Sequence, residues 1–123
     1  MSSFLKGVEY LVLVAYPLRQ FSPDEVYLVT SRCTDSMLLL RPDPVANEVI
    51  LEWLVRGVRF YEVELFAYVW TSNHVHFHLR CPKANLDKFM RYVLSHVATE
   101  LNKIRGRSGS MFSRRYSAEP IRD

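Results

Sequence analysis

Apolar and polar positions alternate most regularly over residues 71–80 (TSNHVHFHLR), and that stretch predicts a β-strand. With a side-chain period of two, Val75, Phe77 and Leu79 share one face and His74, His76 and His78 the other. Residues 26–32 (VYLVTSR) are rich in strand formers and follow the turn chemistry of Ser22, Pro23 and Asp24, which predicts a first central strand. Residues 64–70 predict another. Only Thr71, Ser72 and Asn73 separate it from the histidine strand, so the two form an antiparallel hairpin, which Pro82 closes. Residues 1–21 carry β-branched and aromatic side chains from Val8 to Tyr16 without a clean period, and they predict no more than an edge strand.

Between these strands the period changes to three and four. From Pro44 onward, Ala46, Val49, Ile50, Trp53 and Leu54 form one stripe against Asn47, Glu48, Glu52 and Arg56, with Asp43 placed to cap the helix. Gly57 is expected to loosen its last turn, and Val58 to Tyr61 to lead the chain away. A second helix follows from Leu86, Phe89, Met90, Val93, Leu94, Val97, Leu101 and Ile104, until Gly106 and Gly109 stop it. Its Met and Phe belong to the core, Tyr92 beside the stripe reads as packing, and His96 falls on the polar side. A short closing strand is expected within residues 111–121. The order strand, helix, strand, strand, helix, strand predicts an α+β fold, a ferredoxin-like split β-α-β sandwich. Its antiparallel sheet has the His-X-His strand central and both helices on one face, so the histidines line the uncovered face.

The 123 residues are 49% hydrophobic and 24% charged, the balance of one globular domain around a single core. No apolar run reaches the roughly 18 residues of a membrane span, and the first residues lack the layout of a signal peptide, so a cytoplasmic protein is expected. Cys33 and Cys81 show no CxxC spacing, which argues for two reduced thiols rather than a disulfide framework or a thiolate zinc site. The net charge of +3 changes the picture only through its distribution. Lys103, Arg105, Arg107, Arg114, Arg115 and Arg122 are opposed in the last stretch only by Glu119 and Asp123. That segment is a candidate nucleic-acid-binding patch, in which Arg105, Arg107, Arg114 and Arg115 contact phosphates and Phe112 or Tyr116 stacks on a base.

Three of the four histidines fall within residues 74–78. Imidazole is the commonest protein metal ligand and the side chain that titrates near neutrality. Same-face positions on a strand are about 7 Å apart, and rings that lean inward can share one ion. A bare His-X-His equally describes a half-exposed strand whose histidines face water, and the alternation alone leaves both readings open.

Four ordered segments bear on that choice. Residues 27–32 (YLVTSR), residues 67–76 (AYVWTSNHVH), the helix ending Leu101, Asn102, Lys103, and residues 109–116 (GSMFSRRY) resemble, in order and spacing, the REP-associated tyrosine transposases. These belong to the single-tyrosine HUH transposases of insertion sequences. The resemblance runs from about Tyr27 to Ile121 and is most specific at Asn73-His74-Val75-His76. It implies a homodimeric protein, with no membrane partner, that binds single-stranded DNA beside a hairpin and cuts it with a tyrosine, which becomes joined to the 5′ phosphate. It implies that His74 and His76 hold a divalent metal, Mg or Mn, that polarises the scissile phosphate. His78 stands where the family has an apolar residue and takes no role.

The family's nucleophile lies on a further C-terminal helix, in a Tyr-Ile-X-X-Asn-Pro type of context with Asn or Gln one turn on as third ligand. No such context occurs up to Asp123, so that helix is expected to be absent and Tyr116, after Arg114 and Arg115, is the remaining catalytic candidate. Three functions follow. The first is a DNA-cutting transposase domain, and the second a nucleic-acid-binding relative that does not cut. The third, a metal-binding or small-molecule domain unrelated to DNA, leaves the four ordered matches unexplained.

Overall fold

The structure is a computed structural model that describes residues 21–113 and 115–121; the edge strand expected within residues 1–20 lies outside the described residues. Its elements are β1 (Tyr27–Arg32), a 3-10 turn (Thr34–Ser36), α1 (Pro44–Tyr61), β2 (Glu64–Trp70), β3 (His74–Arg80), α2 (Leu86–Ile104) and β4 (Ser117–Pro120). All four strands join one antiparallel sheet in the order β2-β3-β1-β4. This is the ferredoxin-like order expected from the sequence of elements, with the histidine strand β3 inside the sheet.

The pairing of β1 with β3 decides which side chains share a face. Tyr27 lies opposite Leu79, Val29 opposite Phe77 and Ser31 opposite Val75. Val29, Val75, Phe77 and Leu79 are all fully buried, at 0% exposure. Against them pack Val49, Ile50 and Leu54 of α1 and Phe89, Met90, Val93, Val97 and Leu101 of α2. Burial of each large apolar side chain stabilises the fold by about 1.5–3 kcal/mol, so this face holds most of the folding energy.

Local chemistry sets the helix ends. Asp43 caps α1 as expected, its Oδ1 accepting from the Ala46 N–H at 2.7 Å. Gly57, by contrast, does not loosen the helix, and Val58 to Tyr61 remain helical. A Cβ at Gly57 would stand 2.8 Å from Val93 Cγ2 and 3.2 Å from Phe89 Cε1, so the glycine lets α1 pack closely on α2. The chain turns only at Glu62, in the left-handed region (φ 53°). At the end of α2, Arg107 N–H donates to Asn102 O at 2.8 Å across Gly106, whose φ of 63° suits a residue without Cβ. Ile104, placed in the apolar stripe by its spacing, is exposed, because the core ends one turn earlier at Leu101. His96 is not simply a polar-side residue: its ring stacks on Tyr92 at 4.5 Å and meets Trp53 at 4.2 Å. Among the described residues no helix is long and apolar enough to cross a membrane.

Candidate metal centre on the open sheet face

The face away from the helices is built from the even positions of β1 and β3. One row runs Val69, His76, Thr30, Ser117 across the four strands. Toward one end the next row is Ala67, His78, Leu28 and Glu119; toward the other, His74 lies opposite Arg32. His74 and His76 are half-buried and His78 is exposed, so the row of three is graded by position in the sheet.

The hairpin turn orients His74. Thr71 Oγ1 donates to the His74 carbonyl at 3.1 Å and accepts from the His74 backbone N–H at 3.3 Å. With its one proton spent, that hydroxyl meets His74 Nδ1, at 2.9 Å, as an acceptor; Asn73 Oδ1 lies 2.8 Å from the same nitrogen. His74 therefore carries its proton on Nδ1 and leaves the Nε2 lone pair bare. Thr30 Oγ1 stands 2.9 Å from His76 Nδ1, so a hydrogen bond from the neighbouring strand holds that ring in place as well. The turn is itself pinned to the segment after β1, since Cys33 N–H donates to Asn73 O and Leu40 N–H to Ser72 O, each at 2.8 Å.

The two rings lie 4.7 Å apart between centroids, nearly perpendicular at 84°. Bonds from imidazole nitrogen to a metal are about 2.0–2.1 Å, so one ion is within reach of both rings at that separation. Burial holds the His76 pKa below its ordinary value, and the charges of His74, Arg32 and His78 act in the same direction. A neutral imidazole with a free lone pair is the form that ligates. The pair thus fits a divalent ion as half a site: among the described residues no group of three or more His, Cys, Asp and Glu side chains is placed to hold a metal. Cys33 and Cys81 are free and buried in the core; burial raises both, Cys81 to about 11, so neither presents a thiolate at neutral pH.

The other residues singled out by sequence fall elsewhere. Tyr116 precedes β4 on the helix side, where its hydroxyl donates to Asp87 in the first turn of α2 and its ring stacks on Phe21 at 6.5 Å. The period of two explains this placement, since Ser117, beside Thr30, takes the open face. Arg105 is tied to Leu39 O and, at 3.2 Å, to Asp43 Oδ2. Arg107 clasps its own loop, donating to Asn102 Oδ1 at 3.0 Å and Ser110 O at 3.1 Å. Both guanidinium groups are thus engaged within the fold. Arg115 is exposed, and Arg114 lies outside the described residues. Thr30, Thr71 and Asn73, which set the imidazoles, were not read from sequence as site residues; only the register of β1 on β3 brings Thr30 to His76.

Compared by sequence, the chain matches no protein-family model and no curated protein. Compared by structure, it resembles a REP-associated tyrosine transposase bound to a REP hairpin, with a TM-score of 0.65 and 14% identity over 88% of this chain. The chain spans 62% of the length of that protein. It also resembles a predicted transposase from Deinococcus radiodurans R1, with a TM-score of 0.64 and 15% identity, covering 88% of this chain and 84% of that one. At such identities the likeness is one of fold.

Proposed function

We propose that this chain is a transposase-like domain of the single-tyrosine HUH kind, a cytoplasmic homodimer that binds single-stranded DNA beside a hairpin. In this reading His74 and His76 hold a divalent ion, Mg or Mn, at the phosphate to be cut. The observation that carries it is the histidine pair, 4.7 Å apart between ring centroids, on the uncovered face of a fold shared with a hairpin-bound transposase. Oxygens of Thr71, Asn73 and Thr30 hold each Nδ1, so the imidazoles are oriented before any ligand arrives. When bound, the ion supplies a Lewis acid that offsets the charge developing on the phosphate. The chain's own part is to keep both imidazoles aimed, to offer an uncovered sheet to a nucleic-acid strand, and to draw phosphates with its basic segment.

A second reading, binding without cutting, rests on the tyrosines. Tyr27 is buried on the helix side, Tyr68 lies opposite Phe77, Tyr61 and Tyr92 belong to the helices, and Tyr116 bonds Asp87. Among the described residues no tyrosine shares the histidine face. The deciding experiment incubates labelled single-stranded hairpin DNA with the protein and Mg or Mn, then separates nicked DNA and protein–DNA adduct on a gel. Nicking that disappears in His76→Ala supports the cutting domain. A complex without nick or adduct supports the binding reading, and no complex at all contradicts both.

A further inference from the structure

The open face also carries Arg32, a charge with no ion-pair partner among the described residues. Arg32 ends β1 directly opposite His74, so their side chains leave the sheet as neighbours on the same face. Arg32 is exposed, and its side chain makes no hydrogen bond or ion pair among the described residues. Several other arginines are spent: Arg56 on Glu52, Arg80 on Glu64, Arg105 on Asp43 and Arg107 on Asn102. A bare cation beside two imidazoles adds nothing to folding, and its complement is an anion.

The backbone at Arg32 is fixed from both sides. Ser113 N–H and Ser113 Oγ both donate to Arg32 O, at 2.8 and 3.1 Å. The next residue, Cys33, donates its N–H to Asn73 O at 2.8 Å, and Asn73 is the residue whose side chain meets His74 Nδ1. The root of Arg32 and the aim of His74 are therefore set by the same hydrogen-bonded junction. Arg115, also exposed, lies on the chain between Ser113, bonded to Arg32, and Ser117, paired with Thr30.

Resting on the reading of the histidine pair as a metal centre for DNA, we propose that Arg32 is the phosphate-binding residue of this face. Its guanidinium contacts non-bridging oxygens of the same phosphate that meets the histidine-held ion, and Arg115 serves a flanking phosphate. Directly opposed positions of an antiparallel pair have Cβ atoms about 4.5–5.5 Å apart, a gap that one phosphate bridges. The planar guanidinium matches two oxygens at once, where an ammonium offers a point charge.

The test uses the whole chain, Mn²⁺ and a fluorescent single-stranded hairpin DNA in which one phosphate at a time becomes an uncharged methylphosphonate. Arg32→Gln is expected to weaken DNA binding about tenfold, while its thermal unfolding stays at the wild-type value and its Mn²⁺ affinity without DNA does not fall. Arg32→Lys should recover part of the loss, and it carries the same test if Arg32→Gln fails to fold. At one position the methylphosphonate and Arg32→Gln should be redundant, together costing no more than the methylphosphonate alone. The same methylphosphonate should abolish the Mn²⁺ dependence of affinity. Losses that multiply at every position, or a redundant position that ignores Mn²⁺, overturn the role of Arg32 and leave the metal centre standing. A wild-type protein whose DNA affinity responds to Mn²⁺ at no position removes the underlying reading as well.

Discussion

The two faces of β3 carry opposite chemistry on one backbone. Val75, Phe77 and Leu79 have no exposed surface, while on the same seven residues His74 and His76 are half-buried and His78 is open. The neighbouring strand repeats the division, with Val29 buried on one face and Thr30 holding His76 on the other. On the edge strand β2 the division weakens: the register slips between Leu65 and Ala67, and Phe66, Tyr68 and Val69 are all exposed. A strand's period of two therefore separates folding energy from chemistry only where both of its neighbours are in place.

Phe77→Ala should break the covered face, lowering stability by about 3–5 kcal/mol through lost burial and the cavity left behind. A denaturant titration measures it. His76→Ala, one position away, should change stability by less than about 1 kcal/mol yet abolish Mn²⁺ binding, as read by isothermal titration. Equal destabilisation by both changes would show that the two faces are not separate in function.

Gly57→Ala examines the layer above the covered face. The added methyl meets Val93 at 2.8 Å, so overpacking should outweigh the better helix propensity of alanine, for a net loss on the order of 1 kcal/mol. A thermal melt several degrees lower is the expected result. The smallest effect belongs to the open face. His76 has a folded pKa depressed below its unfolded value, so the unfolded chain binds more protons between the two. Its contribution to stability is present above about pH 6.5 and is lost as pH falls through the folded pKa. Melting temperatures from pH 7.5 down to 5 should decline less steeply in His76→Asn than in the wild type.

The division itself is legible in the sequence, because the alternation from His74 to Leu79 is unbroken and local. What joins the faces to the rest of the fold is not. Thr30 reaches His76 across 46 residues of chain, and no local period encodes the register that brings them together. Local propensity makes Gly57 a weak helix position, whereas Val93 and Phe89, more than 30 residues away in the chain, make it a packing position. Arg105 and Arg107 read as phosphate contacts, and their part within the fold is not legible: Arg105 ties the end of α2 to Asp43, 62 residues earlier, and Arg107 holds its own loop. Tyr116 drew notice from its arginine neighbours, but the parity of β4 turns it toward α2.

The central claim is that His74 and His76 together hold one divalent ion on the open face. Pulsed electron paramagnetic resonance of one equivalent of Mn²⁺, added with single-stranded hairpin DNA, tests it directly through the modulation from ligating imidazole nitrogens. The wild type should show two such nitrogens, and His74→Ala and His76→Ala one or none. No nitrogen modulation in the wild type, or a spectrum unchanged by either substitution, would contradict it.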